Sequence, residues 1–152
     1  MFLKIDGIDG ESTDSAHMKW IDLLSYEHSV NSEGSRRAML SFFFGKKLDK
    51  ASPLLALAVN TGEHYKEVIL EICETTGDKV CYMKYRLTDV VFNSYKVAGT
   101  GCNCEGRPTE QISIQYSKIE WLYRTIGAES PEGDVFTGWD LKKNKKFLPA
   151  NF

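Results

Sequence analysis

A chain of 152 residues is enough for one domain that buries roughly two-thirds of its unfolded surface. A formal net charge of -2 supplies no field to recruit nucleic acid or an acidic membrane, and 42% hydrophobic with 26% charged residues excludes a disordered polyelectrolyte. No apolar run approaches the roughly 20 residues needed to span a bilayer, and Lys4 and Asp6 interrupt the N-terminal run that a signal peptide requires.

Taken in order, residues 2–9 start as a strand, with Leu3 and Ile5 on one side and Lys4 and Asp6 on the other. Asp6-Gly7 and Asp9-Gly10 are turn signals, and residues 10–17 are a polar loop. Residues 18–30 read as the next strand: Trp20, Leu24, Tyr26, His28 and Val30 share a parity broken only by Asp22. After a polar loop at 31–37, Ala38 to Leu48 is a strand whose consecutive Phe42, Phe43 and Phe44 ask for cover on both faces.

The only convincing helix signal follows. Ser52 is suited to N-cap it, Pro53 to occupy its first position, and Gly62 to close it in the left-handed conformation. The helix between them, near residues 53–60, is too short to persist alone in water. Leu54, Leu55, Ala56, Leu57, Ala58 and Val59 make it apolar all round, so it needs cover on more than one side: a deep core or a neighbouring subunit.

Beyond the helix, residues 65–73 put Val68, Leu70 and Ile72 on one face, and TTGDK turns the chain tightly into a strand at 80–87. A separate strand is expected at 90–97, then a glycine-containing loop at 98–110. The longest pattern, Ile112 to Arg124, changes phase. Its apolar parity is even at Ile112, Ile114 and Tyr116 and odd at Ile119, Trp121 and Tyr123, which predicts a β-bulge near Ser117-Lys118. Residues 130–134 are a loop, and residues 135–147 form a last strand with a basic end. Seven or eight strands and one helix, mostly joined by gaps too short for parallel crossovers, predict a mainly β protein. The architecture is a small antiparallel β-barrel of two packed sheets with one flanking helix, forming a single domain over residues 1–152.

No GxSxG elbow, HExxH helix or P-loop is present. Asp6, Asp9, Glu11 and Asp14 miss the spacing of a calcium loop and fit turn chemistry better. Cys102-Asn103-Cys104 is half of a zinc pattern or a redox pair, completed by Cys73 and Cys81 only if their hairpin lies beside the 99–107 loop. Reduced, free thiols are the expectation for all four cysteines. His17, His28 and His64 have no local partner for nucleophilic chemistry and read as packing or surface residues. Lys142, Lys143, Lys145 and Lys146 form a basic cluster suited to a solvated strand end or to an acidic rim on another copy. A cysteine-dependent enzyme or metal-binding module built on Cys102 and Cys104 is the alternative from another class, and a monomeric ligand-binding barrel is a third.

Four segments carry a resemblance: KIDGIDGESTDSAH with Trp20-Ile21-Asp22, KKLDKASPLLALAVNTGEHYKEVILEI, YRLTDVVFNSYKVAGTG with RPTEQISIQYSKIEW, and GWDLKKNKKF. Together they resemble, collinearly and over nearly the whole chain, the haemolysin-coregulated protein (Hcp) family, tube proteins of the bacterial type VI secretion apparatus. The resemblance implies a small antiparallel β-barrel with one flanking helix that closes as a homo-hexameric ring. It also implies ring-on-ring stacking into a tube driven outward by a contractile sheath, with tip proteins and secreted effectors as partners. It implies no catalytic residues, no cofactor and no metal, and neither nucleic acid nor membrane as partner. The chain is expected in the bacterial cytoplasm before firing and then outside the cell, exported without a cleavable signal peptide. Ring or stacking contacts are expected at Ser32, Glu33, Arg36, Arg37, Leu54, Leu57, Ala58, Trp139, Lys142 and Lys143. Two departures stand out. The 31–37 loop is shorter than the glycine-rich extension of many relatives, and Cys102-Asn103-Cys104 replaces glycines.

Overall fold

The computed structural model describes residues 1–31, 41–74, 79–99, 106–125 and 133–149. Among them the elements are β1 (Phe2–Ile5), β2 (Ile21–Asp22), β3 (Ser25–Ser29), β4 (Ser41–Lys47), α1 (Ser52–Thr61), β5 (His64–Glu74), β6 (Val80–Ala98), β7 (Thr109–Gln115), β8 (Lys118–Tyr123), β9 (Val135–Asp140) and β10 (Lys145–Phe147). The tip of the TTGDK turn (75–78), most of the 31–37 loop with residues 38–40, and the cysteine-bearing stretch 100–105 lie outside the described residues. So does most of the 130–134 loop.

β6 organises the sheet. One of its edges takes β5 along most of its length; the other takes β8 beside its first half and β7 beside its second. From there one arm runs through β5 to β1 and β2, one through β8 to β9 and β10, and one through β7 to β4 and β3. Every ladder is antiparallel, as the short connections predict. Among the described pairings β2, β3 and β10 each have a partner on one side only, so the sheet folds over a core without closing into a ring. Among the described residues the chain is mainly β, antiparallel and single-helixed, as expected, in a barrel-like fold whose sheet is not closed.

Several sequence boundaries move. Residues 18–30 hold two short strands; Ile21 in the first and Leu23 just after it are buried, opposite to the expected parity, and Lys19 adopts a left-handed backbone just before them. Residues 80–98 form one strand where two were expected. The expected final strand folds back on itself through a turn at 141–144, where Asp140 accepts a hydrogen bond from the Lys143 amide and Asn144 has φ 50°.

The phase change near Ser117 is real but is not a bulge. Thr88 lies opposite Lys118 and Val91 opposite Gln115, so no residue is gained or lost between them. Instead both strands flip together: β6 buries Tyr85 and Leu87, then Val90 and Phe92, while the opposing pair of strands buries Ile112, Ile114 and Tyr116, then Ile119. Asp89 absorbs the flip at φ 56°, a region that Asp tolerates through its short polar side chain. The register shift in this ladder comes later, between Phe92 and Ser94.

The core gathers Leu3, Phe42, Phe44, Val68, Leu70, Leu87, Phe92, Ile112, Ile114 and Ile119 from the three arms and closes over Leu55 and Ala58 of α1. Pro53 lies in the first turn, one position later than expected because the helix starts at Ser52, and Gly62 ends it at φ 65° with its amide donating to the Ala58 carbonyl at 3.1 Å, as read from the sequence. Ser52 is not the N-cap. The cap position falls to Ala51, and Asp49 accepts from the Ala51 amide at 2.9 Å, because the Ser52 hydroxyl is engaged inside by Glu110 at 2.6 Å. The thiol expectation fails for one pair: Cys73 and Cys81, opposite each other on β5 and β6, form a disulfide. Cys102 and Cys104 lie outside the described residues.

Candidate assembly surface

A helix apolar at every position has no stripe to say which side goes inward; docking on β6 decides it. Leu55 and Ala58 enter the core, while Leu54 and Leu57, three residues apart and therefore on one face, stay 44% and 55% exposed. Ala58, expected at an inter-subunit contact, is 1% exposed and fills its own chain's core instead. On β4, Phe42 and Phe44 point inward and Phe43 points out, 42% exposed. The cover that the triple phenylalanine asks for on both faces is thus met on one. Scattered surface leucines are ordinary, but two adjacent ones on a ten-residue helix are concentrated apolar area.

Trp139, Lys142 and Lys143 belong to the β9–β10 hairpin. Trp139 sits between Ile119 on β8 and Lys146 on β10, half-buried against the core. Lys142 and Lys143 are exposed in the turn, and Lys142 reaches back to Asp89 Oδ2 at 2.6 Å. Ser32, Glu33, Arg36 and Arg37 lie outside the described residues.

Two arrangements escape the sequence reading. Asp89 collects three donors from separate parts of the fold: Lys142 Nζ at 2.6 Å, Ser117 Oγ at 2.5 Å and His64 Nδ1 at 2.6 Å. Those partners, Lys142 first, hold its carboxyl well below the usual carboxylate range. The hairpin turn, the β7–β8 junction and the residue that starts β5 after α1 are thereby tied to one carboxylate. The second arrangement is buried. Lys46 and Glu110 pair across β4 and β7, and Lys46 Nζ also donates to Asp49 Oδ1 at 2.7 Å and to the Lys47 carbonyl at 2.9 Å. The network reaches Ser52 on α1, so it fastens the helix start to the sheet. The nearby Tyr95 hydroxyl is pushed up to about 12, by burial first and then by the Glu110 carboxylate. Outward, then, the chain shows the apolar side chains Leu54, Leu57 and Phe43, and at Asp89 a charge paired within the chain.

The comparisons fit this architecture. The family described as "Type VI secretion system effector, Hcp" matches residues 2–123. Protein hcp1 of Pseudomonas aeruginosa is 29% identical over 157 aligned positions, covering 95% of this chain and 96% of that protein. The crystal structure of Hcp1 from Salmonella typhimurium superposes with a TM-score of 0.84 at 30% identity, covering 96% of each chain. A further solved structure, of a type six secretion system protein, gives a TM-score of 0.85 at 32% identity over 96% of this chain and 98% of the other. These matches define a β-rich structural component of a secretion machine. The chain belongs to the Hcp family of type VI secretion proteins.

Proposed function

We propose that this chain is a structural tube subunit of the type VI secretion apparatus, whose copies close into a hexameric ring. Rings stack into a conduit that is pushed out by a contractile sheath behind tip proteins, with effectors held in the lumen. The protein waits in the bacterial cytoplasm and then leaves the cell as part of the tube. It performs no catalysis; its work is contact.

The observation that carries this reading is the outward pair Leu54 and Leu57 on α1, with Phe43 outward on β4. A heterologous cyclic contact covers such residues in every copy at once, because each subunit offers one face and receives another. Among the described residues no helix is long and apolar enough to cross a membrane. The proposed contacts are Leu54 and Leu57 within the ring, and Trp139, Lys142 and Lys143 with Ser32, Glu33, Arg36 and Arg37 within or between rings.

Size-exclusion chromatography with light scattering, followed by negative-stain imaging, tests the proposal. A hexamer mass and ring-shaped particles are expected. Folded, soluble material of single-chain mass at micromolar concentration would overturn it.

A further inference from the structure

His17, expected to be a packing or surface residue, lies at the centre of a set of metal-ligating side chains. The loop before β2 lays it over the end of the β5–β6 hairpin, and ligand atoms of His17, Glu71, Cys73 and Cys81 all fall within 4.8 Å of one another. The imidazole is nearly inaccessible and held in plane, stacked on Phe2 at 4.1 Å and met edge-on by Trp20 at 4.8 Å. Its Nδ1 faces Asp14 Oδ1 at 2.7 Å; its Nε2 faces Glu71 Oε2 at 2.9 Å and Cys81 Sγ at 3.8 Å. A carboxylate on the far nitrogen holds a proton at Nδ1, so Nε2 becomes the ligating nitrogen once a metal ion displaces the proton it shares with Glu71 Oε2. The positive charges nearby are occupied: Lys79 pairs with Asp14 Oδ2 at 2.5 Å, besides lying 3.0 Å from Nδ1, and Lys84 pairs with Glu71 Oε1 at 3.0 Å. Glu71 Oε2 therefore faces the cluster while its other oxygen is held outside.

While the two sulfurs are bonded to each other they offer no thiolate. We propose that reduction of Cys73–Cys81 converts this cluster into a four-ligand site for Zn2+, made of two thiolates, His17 Nε2 and Glu71 Oε2. A dithiol reductant gives two electrons and two protons to the disulfide and leaves as its own disulfide; Zn2+ then displaces the two thiol protons and the proton between His17 Nε2 and Glu71 Oε2, all three released to solvent. Zn–S distances of about 2.3 Å and Zn–N distances of about 2.0 Å put tetrahedral ligand atoms about 3.3–3.8 Å apart. The existing spacings lie within reach of that, so the main adjustment is rotation of two cysteine side chains on adjacent strands. Two sulfurs, one nitrogen and one oxygen suit zinc over magnesium or calcium. Both cysteines are half-buried, not sealed, which leaves the disulfide reachable by a reductant. The site forms in a reducing compartment and is replaced by the disulfide in an oxidising one.

The full chain, reduced with a phosphine and titrated with Co2+ without oxygen, tests this. One equivalent should give thiolate-to-cobalt charge-transfer absorption with intense tetrahedral d–d bands, displaced by Zn2+. Chain that was never reduced should give none. The bands should survive Cys102→Ser with Cys104→Ser and vanish in Cys81→Ser, while Asp14→Asn should weaken binding about 10–100-fold and keep the charge-transfer band. Should Cys81→Ser fail to fold, the Cys102→Ser/Cys104→Ser chain serves as its own control. Bands when reduced and none when oxidised support the site; none in either state overturns it. Bands that persist in folded Cys81→Ser, or that disappear with Cys102 and Cys104, also overturn it.

Discussion

Lys46 and Glu110 stand directly opposite each other on β4 and β7, and neither side chain reaches solvent. Removing one member of such a pair leaves an uncompensated charge in the core, whereas removing both leaves only Asp49, at the rim of the network and still accepting from the Ala51 amide, without its lysine partner. Lys46→Met should therefore cost about 3–5 kcal/mol, and Lys46→Met with Glu110→Leu should recover much of that loss. Urea unfolding of both variants checks this. A double variant no more stable than the single one would contradict it.

Asp89 sets an acid limit. Its folded-state pKa is held down by Lys142, Ser117 and His64, so its stabilising contribution is complete above the unfolded carboxylate value of about 4. That contribution is lost as pH falls from there toward the depressed folded value. Asp89→Asn keeps a side chain that tolerates the positive φ and discards the charge. Wild type should exceed the variant in urea midpoint near neutral pH, and the gap should narrow as pH drops below about 4. A gap independent of pH would rule this out.

The two faces of α1 should respond differently. Leu55 is fully buried, so Leu55→Ala should destabilise the fold by about 2–5 kcal/mol. Leu57 is more than half exposed within its own chain, so Leu57→Asp buries no charge there and should leave the circular dichroism spectrum unchanged. Under the proposed function it should nonetheless abolish ring particles in negative stain. Intact rings from Leu57→Asp would remove that face from the interface.

Gly10 is needed for close approach rather than for an unusual backbone angle. A Cβ there would lie 2.3 Å from the Trp20 carbonyl oxygen and 2.6 Å from the Ile21 Cα, both backbone atoms with little freedom to move. Gly10→Ala should push the loop off β2, lengthen the 2.7 Å hydrogen bond from the Gly10 amide to the Lys19 carbonyl, and cost about 1–3 kcal/mol. Faster amide hydrogen exchange at Gly10 and Ser12 would register it, and unchanged exchange would count against it.

How legible was this in the sequence? On β5 parity sufficed for one face: Val68, Leu70 and Ile72 are buried as read, while Ile69 on the other face is buried too. The same parity also carried a signal that went unused, since Lys46 follows Phe42 and Phe44 in step and Glu110 precedes Ile112 and Ile114 in step. Two opposite charges on inward positions announce a buried pair, but only once β4 is known to lie beside β7. The phase change at Tyr116–Ser117 was visible, yet one strand cannot show that its partner flips at the same level through Asp89. Cys73 and Cys81 flank a recognisable hairpin, but their direct opposition depends on a register shift after Ile72 that no residue type signals. The outward face of α1 was unreadable for a simpler reason: with six consecutive apolar residues, only long-range docking selects the inner side.

The placement of β7 has a consequence for how the chain is made. Among the described pairings β3 and β4 join the remaining sheet only through β7, with Lys47 opposite Thr109. A nascent polypeptide that has emerged from the ribosome only as far as Ala98 therefore carries a hairpin with no strand beside β4: Phe42 can meet Tyr85 but still lacks Ile114 opposite it, and Phe44 lacks Ile112. Such non-local closure is slow. Until Gln115 clears the exit tunnel, that early hairpin is the natural foothold for a chaperone and the natural point of attack for a protease.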